Sequence, residues 1–265
     1  MARIGIIGCG NMGMAVAKAV PRPRSMAYCY DTDKEKAKEL SKKYKIKTAA
    51  GNVEVAKRCK VIILAVKPQN MEAVLKEIRG SLDSSKLLVS IAAGIKTAAI
   101  EKGLQGKVAV LRVMPNMPAL IGAGIFAICK GRFACRKDLL SVKRLFSCIG
   151  EVVEVKEGLM DAVTAISGSG PAYFFYLVEV LIRAAKGLGL KGQIAERLVI
   201  GTALGSARVL KETGQAPELL RAKVSSKGGT TEAAFKEFYK HDLEAVLRKG
   251  IKRAAKRAKE LSRDK

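Results

Sequence analysis

Ile4-Gly5-Ile6-Ile7-Gly8-Cys9-Gly10-Asn11-Met12-Gly13-Met14-Ala15 is a short apolar run that ends in three glycines spaced G-x-G-x-x-G. Small, helix-compatible residues follow, from Ala15 to Ala19. Strand, tight turn and helix form the context a dinucleotide loop requires. Gly8 permits the turn out of the strand, Gly10 lets the backbone approach a pyrophosphate, and Gly13 lets the helix pack on the strand. Unpaired N–H groups and the positive end of the helix dipole then face the phosphates. The competing reading is a glycine-rich turn with no ligand.

The chain has 265 residues, enough for two domains with sizeable cores. Its 49% hydrophobic content indicates a globular protein. No uninterrupted apolar run reaches the roughly 20 residues of a membrane span, so none is expected. The first residues lead straight into a strand, and no leader is expected. The cysteines at 9, 29, 59, 129, 135 and 148 form no C-x-x-C pair, and His241 is the single histidine. No metal site is therefore expected, and histidine-based triads are excluded. Proton chemistry must use hydroxyls, carboxylates, lysines, backbone or water. Five of the six cysteines adjoin apolar or small residues, which predicts buried, reduced thiols and a cytoplasmic setting.

The formal charge is +25, from 49 Lys and Arg against 24 Asp and Glu. The basic residues are spread along the chain and are densest from Arg248 to Lys265. Aromatic content is 5%, without Trp, so stacking platforms for nucleic acid are not evident. The charge reads as solvated surface that steers anionic ligands inward; nucleic acid is not an expected partner.

Strand signals recur at Met26–Tyr30, Ile46–Thr48, Val61–Val66, Leu87–Ile91, Val108–Val113, Ile125–Ile128 and Val152–Val155. Helical stretches fall at Lys34–Tyr44, Val53–Arg58 (with Asn52 as its cap), Met71–Ile78 and Leu139–Ser147. Alternation of this kind predicts a βα-wound sheet. Strand signals vanish after Asp161. Helices are expected at Pro171–Leu188, Gln193–Glu212, a short one from Pro217, Thr230–Tyr239 and Asp242–Leu261. The fold class is thus α/β: a Rossmann-type domain at 1–157, then an all-α domain at 158–265. The apolar faces of the first two long helices exceed what so small a domain can cover, which predicts a homo-oligomer, most simply a dimer. Asp31 ends the second strand about 20 residues past the glycine loop and suits adenosine ribose hydroxyls. Lys34 and Lys36 stand close behind and could favour a 2′-phosphate; both NADH and NADPH stay open.

The ordered set Ile7–Gly13, Ala65-Val66-Lys67-Pro68, Ser90-Ile91-Ala92-Ala93-Gly94, Arg112–Pro118, Ser167–Tyr173 and Val224–Thr231 resembles the pyrroline-5-carboxylate reductase family over essentially the whole chain. The resemblance implies hydride transfer from NAD(P)H to the C=N carbon of 1-pyrroline-5-carboxylate, giving L-proline. It implies a dimer through the helical domain. It carries over Ile7, Gly8, Cys9, Gly10, Asn11 and Met12 for the pyrophosphate turn, beside Gly13. Asn52 goes to the adenosine side, and Ala65, Lys67 and Pro68 follow the fourth strand. Ile91 and Ala93 fall beside the nicotinamide. It places the substrate carboxylate at Gly228-Gly229-Thr230, where backbone N–H groups and a helix dipole attract anions. Thr231 matches the threonine that reaches the ring nitrogen, and Glu157 a carboxylate of the substrate region. Lys227 departs from the family, which usually has proline there. Rival readings are a related imine or β-hydroxyacid reductase, and a basic nucleotide-responsive binding protein.

Overall fold

A computed structural model describes residues 3–21 and 23–263. In chain order its elements begin with β1 (Ile4–Ile7), α1 (Asn11–Ala19), β2 (Tyr28–Tyr30), α2 (Lys34–Tyr44), β3 (Lys47–Thr48), α3 (Asn52–Arg58) and β4 (Val61–Leu64). They continue with α4 (Met71–Ile78), β5 (Leu87–Ser90), α5 (Thr97–Leu104), β6 (Ala109–Met114), β7 (Gly124–Lys130), α6 (Arg136–Phe146), β8 (Gly150–Glu154) and α7 (Met160–Val163). After a π-helical turn at Thr164–Gly168 come α8 (Gly170–Gly187), α9 (Gly192–Thr213), α10 (Pro217–Lys223), α11 (Thr230–Lys240) and α12 (Leu243–Arg263).

The strands form one sheet in the order β3-β2-β1-β4-β5-β6-β7-β8. Pairing is parallel except between β6 and β7. Side chains alternate across it. Ile6, Ile63, Val89 and Leu111 pack on one face with Val16 and Leu40. Ile7, Ile62, Leu64, Leu88 and Val110 pack on the other with Val55, Leu75 and Ile100. Burial on both faces is why the central strands read as unbroken apolar runs. The chain leaves β1 toward β2 on one side and returns to β4 on the other. That reversal opens a crevice beyond the carboxyl ends of β1 and β4.

The compact units are Met1–Ser169 with Arg253–Lys265, and Gly170–Lys252. This division differs from the expected boundary at 157/158. The continuous helix α12 ends in the first unit, where Ala258 and Ser262 are buried. A Cβ on Gly94 (φ +75°) would meet the Leu261 carbonyl oxygen at 3.2 Å. The basic tail thus packs as a helix at Ala258 and Ser262.

In the second unit, Gly170 is the one buried residue of α8 and Ala195 that of α9. Phe174 is 70% and Leu188 85% exposed. The run Glu157–Gly187, 31 residues long, is long and apolar enough to cross a membrane by length and composition only. The same composition suits a helix whose apolar face meets another helix.

Four cysteines are buried as expected, but Cys135 and Cys148 are exposed, and all six are free thiols. Cys135 precedes α6 and Cys148 follows it, both beyond the buried helix residues Leu139, Val142, Leu145 and Phe146. Burial pushes the Cys59 thiol up to about 11 and that of Cys129 up to about 12. Alkylation near pH 8 should therefore label Cys135 and Cys148 well before Cys59 and Cys129, because the thiolate is the reactive form. Peptide mass spectrometry over a time course checks this; early labelling of Cys59 would contradict it.

Candidate functional site

The crevice is a cavity of about 610 Å³ that includes Ile7, Gly8, Gly10, Asp31, Asn52, Ala65 and Lys67 in its lining. Seven expected cofactor residues from four separate stretches thus meet at one place. The glycine loop explains how. Gly8 has φ +101°, and a Cβ there would lie 2.6 Å from the Ala65 carbonyl oxygen. Its N–H donates to the Tyr30 carbonyl at 2.8 Å, tying the turn to β2. A Cβ on Gly13 would collide with the Gly8 carbonyl oxygen, so only glycine lets α1 sit this close to β1. Gly10 precedes α1, and a Cβ there meets nothing within 4 Å. The open space before a helix with no acidic residue in its first turn suits a pyrophosphate.

Asp31 stands across the crevice. Its Oδ2 accepts the Cys9 N–H at 2.7 Å and its Oδ1 the Asp33 N–H at 2.9 Å. Cys9, buried behind the loop, hydrogen-bonds through its thiol to Cys29, which holds its proton on; burial adds to the effect. Asn52 is not the cap of α3. Gly51 takes that place, and Asn52 is buried in the first turn with its Nδ2 donating to Glu77 at 2.7 Å. Its buried Oδ1 has no partner among the described residues. An orphaned acceptor at the cavity wall fits a ligand that brings a donor, such as an adenosine. These features fit a dinucleotide.

The remaining residues do not line the cavity. Pro68 borders a neighbouring groove between α4 and α5. Ile91 donates its N–H to the Leu64 carbonyl at 3.1 Å, which seats the Ile91–Ala93 segment just past β5. Cys9 and Gly13 are buried, while Asn11, which is exposed, and Met12 open α1.

Glu157 is also elsewhere. One of its carboxylate oxygens accepts the Thr97 N–H and the other the Thr97 hydroxyl, both at 2.7 Å. It thereby caps α5, a helix the sequence reading did not include. It lies 3.6 Å from Nη1 of Arg112, which is 2% exposed, and Nη2 of Arg112 lies 3.9 Å from Asp161. Within the chain, Glu157 is thus the partner of a buried arginine and the cap of a helix.

In the second unit, Gly229 caps α11 after a turn at Gly228 (φ +73°) in which the Gly229 N–H donates to the Ser226 carbonyl at 3.0 Å. Thr230 and Thr231 open the helix. Glu232, which sequence reasoning missed, accepts the Gly228 N–H at 2.5 Å and pairs with Lys236 at 3.4 Å. That N–H holds the Glu232 carboxyl below its usual range. The signal was present: glutamate at the third helical position reaches back to cap. The loop therefore already binds one carboxylate at its backbone. No group of three or more histidine, cysteine or acidic residues that could hold a metal occurs among the described residues.

Two family models match the chain. "NADP oxidoreductase coenzyme F420-dependent" covers residues 3–94 and "Pyrroline-5-carboxylate reductase dimerisation" covers 157–261. The chain is 38% identical to the pyrroline-5-carboxylate reductase of Corynebacterium melassecola, over 99% of this chain and 100% of that one. The corresponding Synechocystis enzyme is 39% identical, over 84% and 83%. Among solved structures, Plasmodium falciparum pyrroline carboxylate reductase with NADP bound superposes with a TM-score of 0.90, at 31% identity and 98% coverage of both chains. The Coxiella burnetii enzyme gives 0.91 at 33%, again covering 98% of both. Cradle, helical unit and full-length likeness agree, and the chain belongs to the pyrroline-5-carboxylate reductase family.

Proposed function

We propose that this chain reduces the C=N bond of 1-pyrroline-5-carboxylate to L-proline, with Thr231 as the residue that orients the ring nitrogen. The observation that carries the reading is the joint presence of a complete dinucleotide cradle and the Gly228–Thr231 loop in a chain alike to these reductases along its whole length. A bound NAD(P)H supplies the hydride. The chain's residues supply position. Gly8, Gly10 and the start of α1 hold the pyrophosphate. Ile91 and Ala93 flank the nicotinamide. The N-terminus of α11 at Thr230 receives the substrate carboxylate, with the Gly228 and Gly229 N–H groups engaged by Glu232 and the Ser226 carbonyl to shape the turn before it, and the Thr231 hydroxyl orients the ring nitrogen and passes it a proton. The single histidine, His241, is 74% exposed beside Glu237 and has no role in this scheme. Glu157 acts at a distance, by fixing α5 after the Ile91–Ala93 segment. The exposed faces of α8 and α9 pair between copies as a homodimer, and the protein works in the cytoplasm.

Loss of nicotinamide absorbance on adding 1-pyrroline-5-carboxylate, with proline identified as product, tests the reaction. Thr231→Val keeps the shape and removes the hydroxyl. It should lower kcat about a hundredfold, the lower end for a positioned proton donor, while Thr231→Ser retains most activity. Full activity in Thr231→Val would remove Thr231 from the scheme and leave the reaction standing.

A further inference from the structure

We propose that this enzyme prefers NADH to NADPH, and that Asp31 sets the preference. The inference rests on the dinucleotide site described above and deepens it. A carboxylate offers about four lone-pair sites. Asp31 uses one site on each oxygen for the backbone donors, Cys9 N–H at 2.7 Å and Asp33 N–H at 2.9 Å. The Thr32 hydroxyl approaches Oδ1 at the long distance of 3.5 Å. These bonds fix the carboxylate at the end of β2 and leave acceptor capacity on both oxygens. A vicinal ribose diol brings two donors to such a group. A 2′-phosphate brings only acceptors and negative charge, and like charges in contact repel.

Of the two lysines that follow Asp31, one is engaged and the other does not line the cavity. Lys36 reaches the cavity, but its ammonium lies 2.9 Å from Asp33. Asp33 is itself fixed by accepting the Glu35 and Lys36 N–H groups as the cap of α2. Lys34, first residue of α2, does not line the cavity. Glu77 adds another carboxylate to the wall, held by Asn52. The sequence alone set Asp31 against two lysines; the geometry keeps Lys34 off the cavity and pairs Lys36 with Asp33. The Plasmodium falciparum relative was solved with NADP, so the preference would be a property of this chain within the family.

Calorimetric titration of the full chain with NADH, NADPH, ADP-ribose and 2′-phospho-ADP-ribose tests this without turnover. Both unphosphorylated ligands should bind at least about tenfold more tightly than their phosphorylated partners, a difference of about 1.4 kcal/mol. Asp31→Asn keeps an acceptor for the backbone and removes the charge. With its fold checked by circular dichroism, it should bring the two affinities to within about threefold. Equal or tighter binding of NADPH by the wild type overturns the proposal, as does an unchanged ratio in folded Asp31→Asn. Should Asp31→Asn not fold, the wild-type ratio decides. Binding of none of the four would overturn the dinucleotide site itself, and the preference with it.

Discussion

Gly13→Ala should lower dinucleotide affinity about a hundredfold and destabilise the first unit by about 2–3 kcal/mol, the range for forcing extra atoms into a packed interior. The added Cβ would strike the Gly8 carbonyl oxygen, a backbone atom. Gly8 cannot retreat. Its N–H is held by Tyr30 at 2.8 Å, and its neighbour Ile7 accepts the Ala65 N–H at 2.7 Å. The space beside Gly8 is closed by the Ala65 carbonyl. Strain must therefore lift α1 off β1, carrying Gly10 and the helix N-terminus out of register with the pyrophosphate. Gly10→Ala is the informative companion. Its Cβ meets nothing within 4 Å, so the melting temperature should stay within a degree or two of wild type, while the methyl group stands where the pyrophosphate must come. Thermal melts and cofactor titrations on both variants separate the roles. Wild-type binding by Gly10→Ala would mean that the phosphates lie elsewhere.

That contrast marks what a sequence can disclose. The β1-loop-α1 unit was legible because its determinants are local: the apolar run, three glycines, and small residues within a few positions. The central strands were legible because burial on both faces leaves no polar alternation. Where determinants are far apart in the chain, reading fails. Helix α5 lacks a side-chain cap of its own and takes one from Glu157, 60 residues away. Lysine before Thr97 and glycine near its end gave no start signal. Asn52 looks like a cap in sequence, but a partner 25 residues on at Glu77 turns it inward. The antiparallel entry of β7 follows a short helical turn, Met117–Ile121, that replaces a crossover helix. The return of α12 to the first unit depends on a glycine at 94 with room for Leu261.

Among the site residues, contacts set by local backbone geometry were legible in the sequence, and contacts made with a distant partner were not. Glu157 is the clearest case. A carboxylate at the start of the helical region suits a substrate, yet Arg112 on β6 and Thr97 on α5 claim it. Nothing local to Glu157 announces either partner.

Glu157→Ala should accordingly destabilise the first unit by about 3 kcal/mol, the low end for removing one partner of a buried ion pair. The side chain of Glu157 is 28% exposed while that of Arg112 is 3% exposed. The loss therefore falls on the arginine. Among the described residues, the ion pair left to its guanidinium would be Asp161, at 3.9 Å, and its Nη2 already lacks a hydrogen-bond partner there. The Thr97 N–H would lose its acceptor as well, with a further cost of about 1 kcal/mol for an uncapped helix. Arg112→Met should be milder, because a buried pair exchanged for an apolar side chain is often nearly neutral, and Glu157 and Asp161 both reach water. The double variant should then be more stable than Glu157→Ala alone. That sign of coupling is expected only if the unpaired arginine is what destabilises the single variant. Urea titration of the three variants measures it. The Michaelis constant for 1-pyrroline-5-carboxylate, taken at a temperature where Glu157→Ala is folded, should stay within about twofold of wild type, since a positioning carboxylate makes no ground-state contact with substrate. A raised Michaelis constant with unchanged stability would return Glu157 to the substrate.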